Sequence, residues 1–207
     1  MEVNNMPTTF TLLRHGPVAG SPALYGHTDV SLSEQGHIAM CSAIDVIHSH
    51  LQIDHIVSSP LVRCSRAAQL FAQQNNVPIA IVSDLKEMNF GDWDGIPFDQ
   101  LADEWKNLEA FWQSPSTIQP PNGELLEAFA TRIIRAWETL LASSKPQHYL
   151  VACHGGAIRI IVAHLLNIDW RNANLFTQLH ISYNSSTRIE IGDFENSAPI
   201  IKWIGCV

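Results

Sequence analysis

Two apolar rhythms alternate along this chain. Short stretches at 9–13 (TFTLL), 53–57 (IDHIV), 79–82 (IAIV) and 149–153 (YLVAC) are apolar at nearly every position, or at all but one or two, and predict strands, the last of them buried. Between them, apolar residues recur at steps of three and four and predict amphipathic helices. The first helix is expected over 31–51, opened by Ser31 and Glu34 at capping-box spacing and striped by Ile38, Cys41, Ile44, Ile47 and Leu51. A second, over 61–74, follows the start signal SSP and buries Cys64, Ala67, Ala68 and Phe71. Phe98, Leu101, Trp105, Leu108 and Trp112 predict a helix over 97–112, and Leu126, Phe129, Ile133 and Trp137 one over 124–142. The segment 155–166 reads as the helix after the YLVAC strand, and three β-rich pieces, HISY, TRIEI and PIIKWI, complete the chain. Alternating strands and helices predict an α/β fold, a mostly parallel sheet covered on both faces. No internal repeat or linker interrupts 1–207, so one domain is expected, with residues 90–122 a candidate cap over one edge.

Composition narrows the partners. With 207 residues, 46% hydrophobic and 15% charged, the chain can bury a substantial core. A net charge of −8 argues against a general nucleic-acid or anionic-membrane surface, yet leaves room for a local anion site lined by arginine. The stretch MEVNNMPTTF lacks the pattern of an export signal, and four scattered cysteines form no C-x-x-C pair, so a cytoplasmic setting with reduced thiols is expected.

In open α/β sheets, ligands bind beyond the carboxyl ends of the strands. Applied here, that rule collects Arg14, His15 and Gly16 after the first strand and Arg63 in the first turn after the second. It adds Glu87 after the third, and His154, Gly155 and Gly156 after the strand ending at Cys153. Each group alone reads as a solvated loop charge. Together they supply two guanidinium forks suited to phosphate oxygens, a helix start that favours anions, an imidazole nucleophile and a carboxyl acid. That inventory fits phosphoryl transfer without metal or cofactor on a small phosphorylated metabolite.

The motifs LLRHG, SSPLVR, EMNFGDWDG, PPNGE and CHGGAIR, in this order, resemble the histidine phosphatase (phosphoglycerate-mutase-like) superfamily. The resemblance implies a three-layer α/β/α fold and a phosphohistidine mechanism. It makes His15 the nucleophile, Arg14, Arg63, His154 and Gly155 the phosphate ligands, and Glu87 the acid and then the base. For Glu87 to act as acid it must hold a proton near neutrality, which the adjacent phosphate or burial must supply. YGHTDVSLSEQG with EMNFGDWDG is most similar to the bacterial alpha-ribazole-5′-phosphate phosphatases of cobalamin biosynthesis. A broad-specificity sugar-phosphate phosphatase and a phosphoglycerate mutase are the alternatives. Pro17, Val18, Ser21 and Ala67 depart from residues common in the family.

CHGGAIR is also C-x5-R, the spacing of cysteine-dependent phosphatases, with Cys153 as the thiolate. That reading leaves Arg14, His15, Arg63 and Glu87 idle. A scaffold that only binds phosphate is the non-enzymatic reading, and it predicts the loss of a reacting group. His48, His50 and His55 show no metal-site spacing, and Trp105 and Trp112 read as packing residues, with Trp93 near enough to Glu87 to touch substrate.

Overall fold

The computed structural model describes residues 7–145, 147–192 and 197–207. The start of the MEVNNMPTTF stretch, residues 1–6, lies outside them. Six strands form one sheet in the order β3-β2-β4-β1-β5-β6, made of β1 (Thr8–Arg14), β2 (His55–Ser58), β3 (Ile79–Ile81), β4 (His148–Cys153), β5 (Ser186–Ile191) and β6 (Pro199–Cys206). The first four are parallel, and β5 and β6 run antiparallel at one side. Every residue of β4 is buried, as are the middle five of β1, which is why these strands read as unbroken apolar runs.

Alternate strand residues feed two cores. Phe10, Leu12, Tyr149 and Val151 face α4 (Leu126–Ser143) and α5 (Gly155–Leu165), while Leu13, Leu150 and Ala152 face α1 (Glu34–His50) and α2 (Val62–Asn75). The result is a helix–sheet–helix sandwich, the expected fold class. Topology positions the site. The chain leaves β1 and returns as β2 two places away, and β4 later fills the gap. The β1–β4 register pairs Arg14 with Cys153, so the residues after them, His15 and His154, emerge side by side.

Some expectations need correction. Helix α1 begins at Glu34, and its cap is Ser33, whose hydroxyl accepts from the Gly36 N–H at 3.0 Å; the Ser31–Glu34 box does not form. The stripe is also rotated, because Ile38 is 62% exposed while Gly36, Met40 and Ile44 are buried. The cause is at Gly36, where an added Cβ would lie 2.1 Å from the Pro17 carbonyl oxygen; this close approach sets which face of the helix meets the sheet. The helix expected over 97–112 is α-helical only at α3 (Trp105–Gln113), after 3₁₀ turns at Phe98–Gln100 and Ala102–Glu104. A three-residue apolar step, such as Phe98 to Leu101, suits a 3₁₀ turn as well as an α-helix. Trp105 is half exposed there, and Phe111 takes its place in the core. The HISY piece is not a strand; it follows the short α6 (Asn174–Thr177) as a loop. No helix among the described residues is long and apolar enough to cross a membrane.

Candidate active site

The loop residues beyond β1 and β4 set two imidazoles edge to face, with the His15 and His154 ring centroids 5.2 Å apart. His15 is 6% exposed, and its Nδ1 lies 2.8 Å from the Gly16 carbonyl oxygen. A carbonyl only accepts, so Nδ1 carries the hydrogen and Nε2 presents a lone pair. Burial, Arg63 and Arg14 push the pKa of His15 down to about 3, more than the Gly16 hydrogen bond raises it. His15 is thus a neutral imidazole across the physiological range. His154 is fully buried and likewise held neutral, by burial, then Arg63 and then His15. Its Nε2 lies 2.8 Å from the Ser59 hydroxyl.

The two arginines are partly committed. Arg63, 0% exposed, donates through its terminal nitrogens to the carbonyls of Tyr25, Gly26 and Thr28. The Asp94 carboxylate holds that loop in turn, accepting from the N–H groups of Gly26, His27 and Thr28. Arg14 donates to the Ile181 carbonyl and stacks on Tyr183, with its guanidinium carbon 3.9 Å from the ring centroid. The Tyr183 ring also lies 5.5 Å from that of His15. In both arginines the Nε–H is buried and has no partner among the described residues. Two buried, unpaired cationic donors beside a neutral imidazole call for an anion.

Glu87 reaches the same place from the loop after β3. Its Oε2 accepts from the Gly156 N–H at 2.9 Å and its Oε1 from its neighbour Met88. A Cβ at 156 would stand 2.2 Å from Glu87 Oε1, so any larger residue there would push the carboxylate from its place. Arg132 braces this loop by donating to the carbonyls of Asp84, Lys86 and Glu87 while paired with Glu124 at 2.7 Å. All five side chains selected from strand ends, Arg14, His15, Arg63, Glu87 and His154, therefore come together, and the Gly155 N–H has no partner among the described residues. Tyr183, Ser59 and Arg132 escaped the sequence reading. Ser59 lies inside SSPLVR and could have been found there; Tyr183 and Arg132 carry no local signal. Trp93 is buried in the core rather than presented to the site.

The rival thiol fares differently. Cys153 is 0% exposed, and burial, then Glu87, push its pKa up to about 12. An activated thiolate needs the opposite shift.

The neutral histidines make stability depend on pH. His15 and His154 have folded pKa values below the unfolded value, so the unfolded chain binds protons first and stability falls as pH drops from about 6.5 towards 3. The His15 shift alone corresponds to about 3 kcal/mol lost between pH 6.5 and 4. Urea unfolding in phosphate-free buffer should show this slope, and His15→Asn should flatten it; identical slopes would contradict the assignment.

The profile of the histidine phosphatase superfamily (branch 1) matches residues 10–202. The chain is 32% identical over 160 residues to the adenosylcobalamin/alpha-ribazole phosphatase of Salmonella typhimurium, covering 76% of this chain and 79% of that protein. It is 28% identical over 176 residues to the 2,3-bisphosphoglycerate-dependent phosphoglycerate mutase of Bartonella quintana, covering 79% and 84%. Among solved structures, a mycobacterial glucosyl-3-phosphoglycerate phosphatase aligns with TM-score 0.81 and 25% identity, over 96% of this chain and 98% of that one.

Proposed function

This chain belongs to the histidine phosphatase superfamily and is a phosphoric monoester hydrolase; we propose that it works through a phosphohistidine on His15, without metal, and that its substrate is alpha-ribazole 5′-phosphate. The observation that carries the mechanism is the pair of buried, unpaired Arg14 and Arg63 Nε–H groups beside an imidazole whose Nδ1–H is held by Gly16.

In this reading the His15 Nε2 lone pair attacks phosphorus while the bond to the ester oxygen breaks. Glu87 gives that oxygen its proton, and the alcohol leaves. Water then attacks the phosphohistidine, Glu87 takes a proton from it, the P–N bond breaks, and phosphate and neutral His15 are released. Arg14 and Arg63 neutralise the oxygens as charge develops, the neutral His154 imidazole adds a hydrogen bond, and the Gly155 N–H adds a further donor. Residues 90–122 serve as the cap, since Phe90, Phe111 and Trp112 line a cavity continuous with Glu87.

The substrate assignment draws on the Salmonella relative and on that aromatic cavity, which suits a flat base. A sugar-phosphate phosphatase is the second reading, favoured by the mycobacterial structure. The deciding measurement is kcat/KM, with no metal added, for alpha-ribazole 5′-phosphate, fructose phosphates and phosphoglycerates. Alpha-ribazole phosphate should lead; preferred phosphoglycerates, with phosphate transferred and not released, would overturn the assignment.

A further inference from the structure

The cavity beyond Glu87 has a volume of about 140 Å³, and its walls include Phe90, Phe111, Trp112, Phe129 and Phe176. An alcohol entering it gives up water, and any oxygen it carries there must find a donor or the binding is penalised. Among these apolar walls stands one permanent cation, Arg159.

Arg159 extends from α5, five residues beyond His154, in the last position of CHGGAIR. Its Nε donates to the Leu179 carbonyl at 2.9 Å, and its two terminal nitrogens have no partner among the described residues. The contrast with Arg132 is informative. Arg132 serves a structural end and spends all three nitrogens on protein oxygens, while Arg159 keeps its outer pair for the cavity. Its placement also fits the reaction. A Cβ on Gly155 would stand 3.0 Å from Arg159 Nη1 and 3.3 Å from Arg14 Nε, so the two guanidiniums flank one point at the head of α5. Arg14 faces the imidazole side of that point, and Arg159 shares the cavity wall with Glu87. Burial and the charge of Arg14 disfavour this cation, and Glu87 favours it.

We propose that Arg159 reads the leaving group: its terminal nitrogens donate to an oxygen acceptor a few bonds from the ester oxygen, while the aromatic walls take the apolar remainder. The inference rests on the hydrolase reading above and narrows it to alcohols with an oxygen-bearing segment beside the ester and a flat or apolar body beyond. Ribose hydroxyls and a glycerate carboxylate are two sources of such an acceptor.

The test compares the parent enzyme with Arg159→Met, which keeps the apolar stem and loses the donors, and with Arg159→Lys. Four probes are used: a riboside 5′-phosphate, its 2′,3′-dideoxy analogue, 3-phosphoglycerate and phenyl phosphate. Arg159→Met should lower kcat/KM for an acceptor-bearing probe roughly 10- to 100-fold more than for phenyl phosphate, chiefly through KM. Arg159→Lys should recover part of that difference. A riboside that loses more than its dideoxy analogue identifies the hydroxyls as the acceptor; a selective loss on 3-phosphoglycerate identifies the carboxylate. An equal loss on all four probes, the result for a mere clip to Leu179 or a ligand of the transferring phosphate, overturns the proposal, as does no loss. Parent turnover of phenyl phosphate with label on His15 tests the hydrolase reading separately. Its absence removes that reading, whereas uniform loss in the variant removes only the role of Arg159.

Discussion

His15→Ala should lower kcat by about 10⁴-fold or more, the scale seen when a covalent nucleophile is removed. The neighbouring imidazole, His154, is turned towards Ser59 and is not placed to stand in for it. Enzyme quenched in mid-turnover with ³²P-labelled substrate should carry an acid-labile, alkali-stable label in the parent and none in the variant. Circular dichroism at neutral pH separates loss of chemistry from loss of fold. A buried neutral imidazole beside two arginines opposes protonation, so the variant should be less sensitive to acid than the parent. Cys153→Ser supplies the contrast, because a thiol whose pKa is raised to about 12 is no nucleophile and the variant should keep most of its activity. A label that persists in His15→Ala, or disappears in Cys153→Ser, would move the chemistry to another atom.

Glu87→Gln should divide substrates by their leaving groups. The amide keeps an oxygen for the Gly156 N–H but has no proton to give an alkoxide. For an alkyl phosphate, kcat/KM should fall about 10²- to 10⁴-fold, the usual worth of a general acid. For p-nitrophenyl phosphate, whose phenolate leaves unaided, kcat/KM should fall far less. Its kcat should still drop, because the second step has lost its base, and phosphoenzyme should accumulate as a burst of nitrophenolate followed by slow turnover. An equal fall in kcat/KM for both esters would show that Glu87 does not protonate the leaving group.

Much of this was legible in one dimension. The fully buried β1 and β4 announce themselves as apolar runs because both of their faces are covered. Arg14-His15-Gly16 and His154-Gly155-Gly156 follow directly from those runs, and sheet geometry gathers strand ends at one edge. Local periodicity was a poorer guide to rotation and pitch. The face that α1 buries is set by contact at Gly36 with a carbonyl from another segment, and the 98–104 stretch chose 3₁₀ turns for a spacing that suits two helices.

The residues therefore determined by themselves the class of fold, the edge that carries the chemistry and the five groups assembled there. Tertiary structure alone decided what each group is free to do. It spends the fork of Arg63 on carbonyls of residues 25–28, stacks Arg14 on Tyr183, aims Arg132 at the Glu87 loop, and leaves the Arg159 ends without a partner among the described residues. These pairings join segments tens to more than a hundred residues apart. A side chain's protonation and its remaining donors depend on burial and on neighbours that only the folded chain supplies.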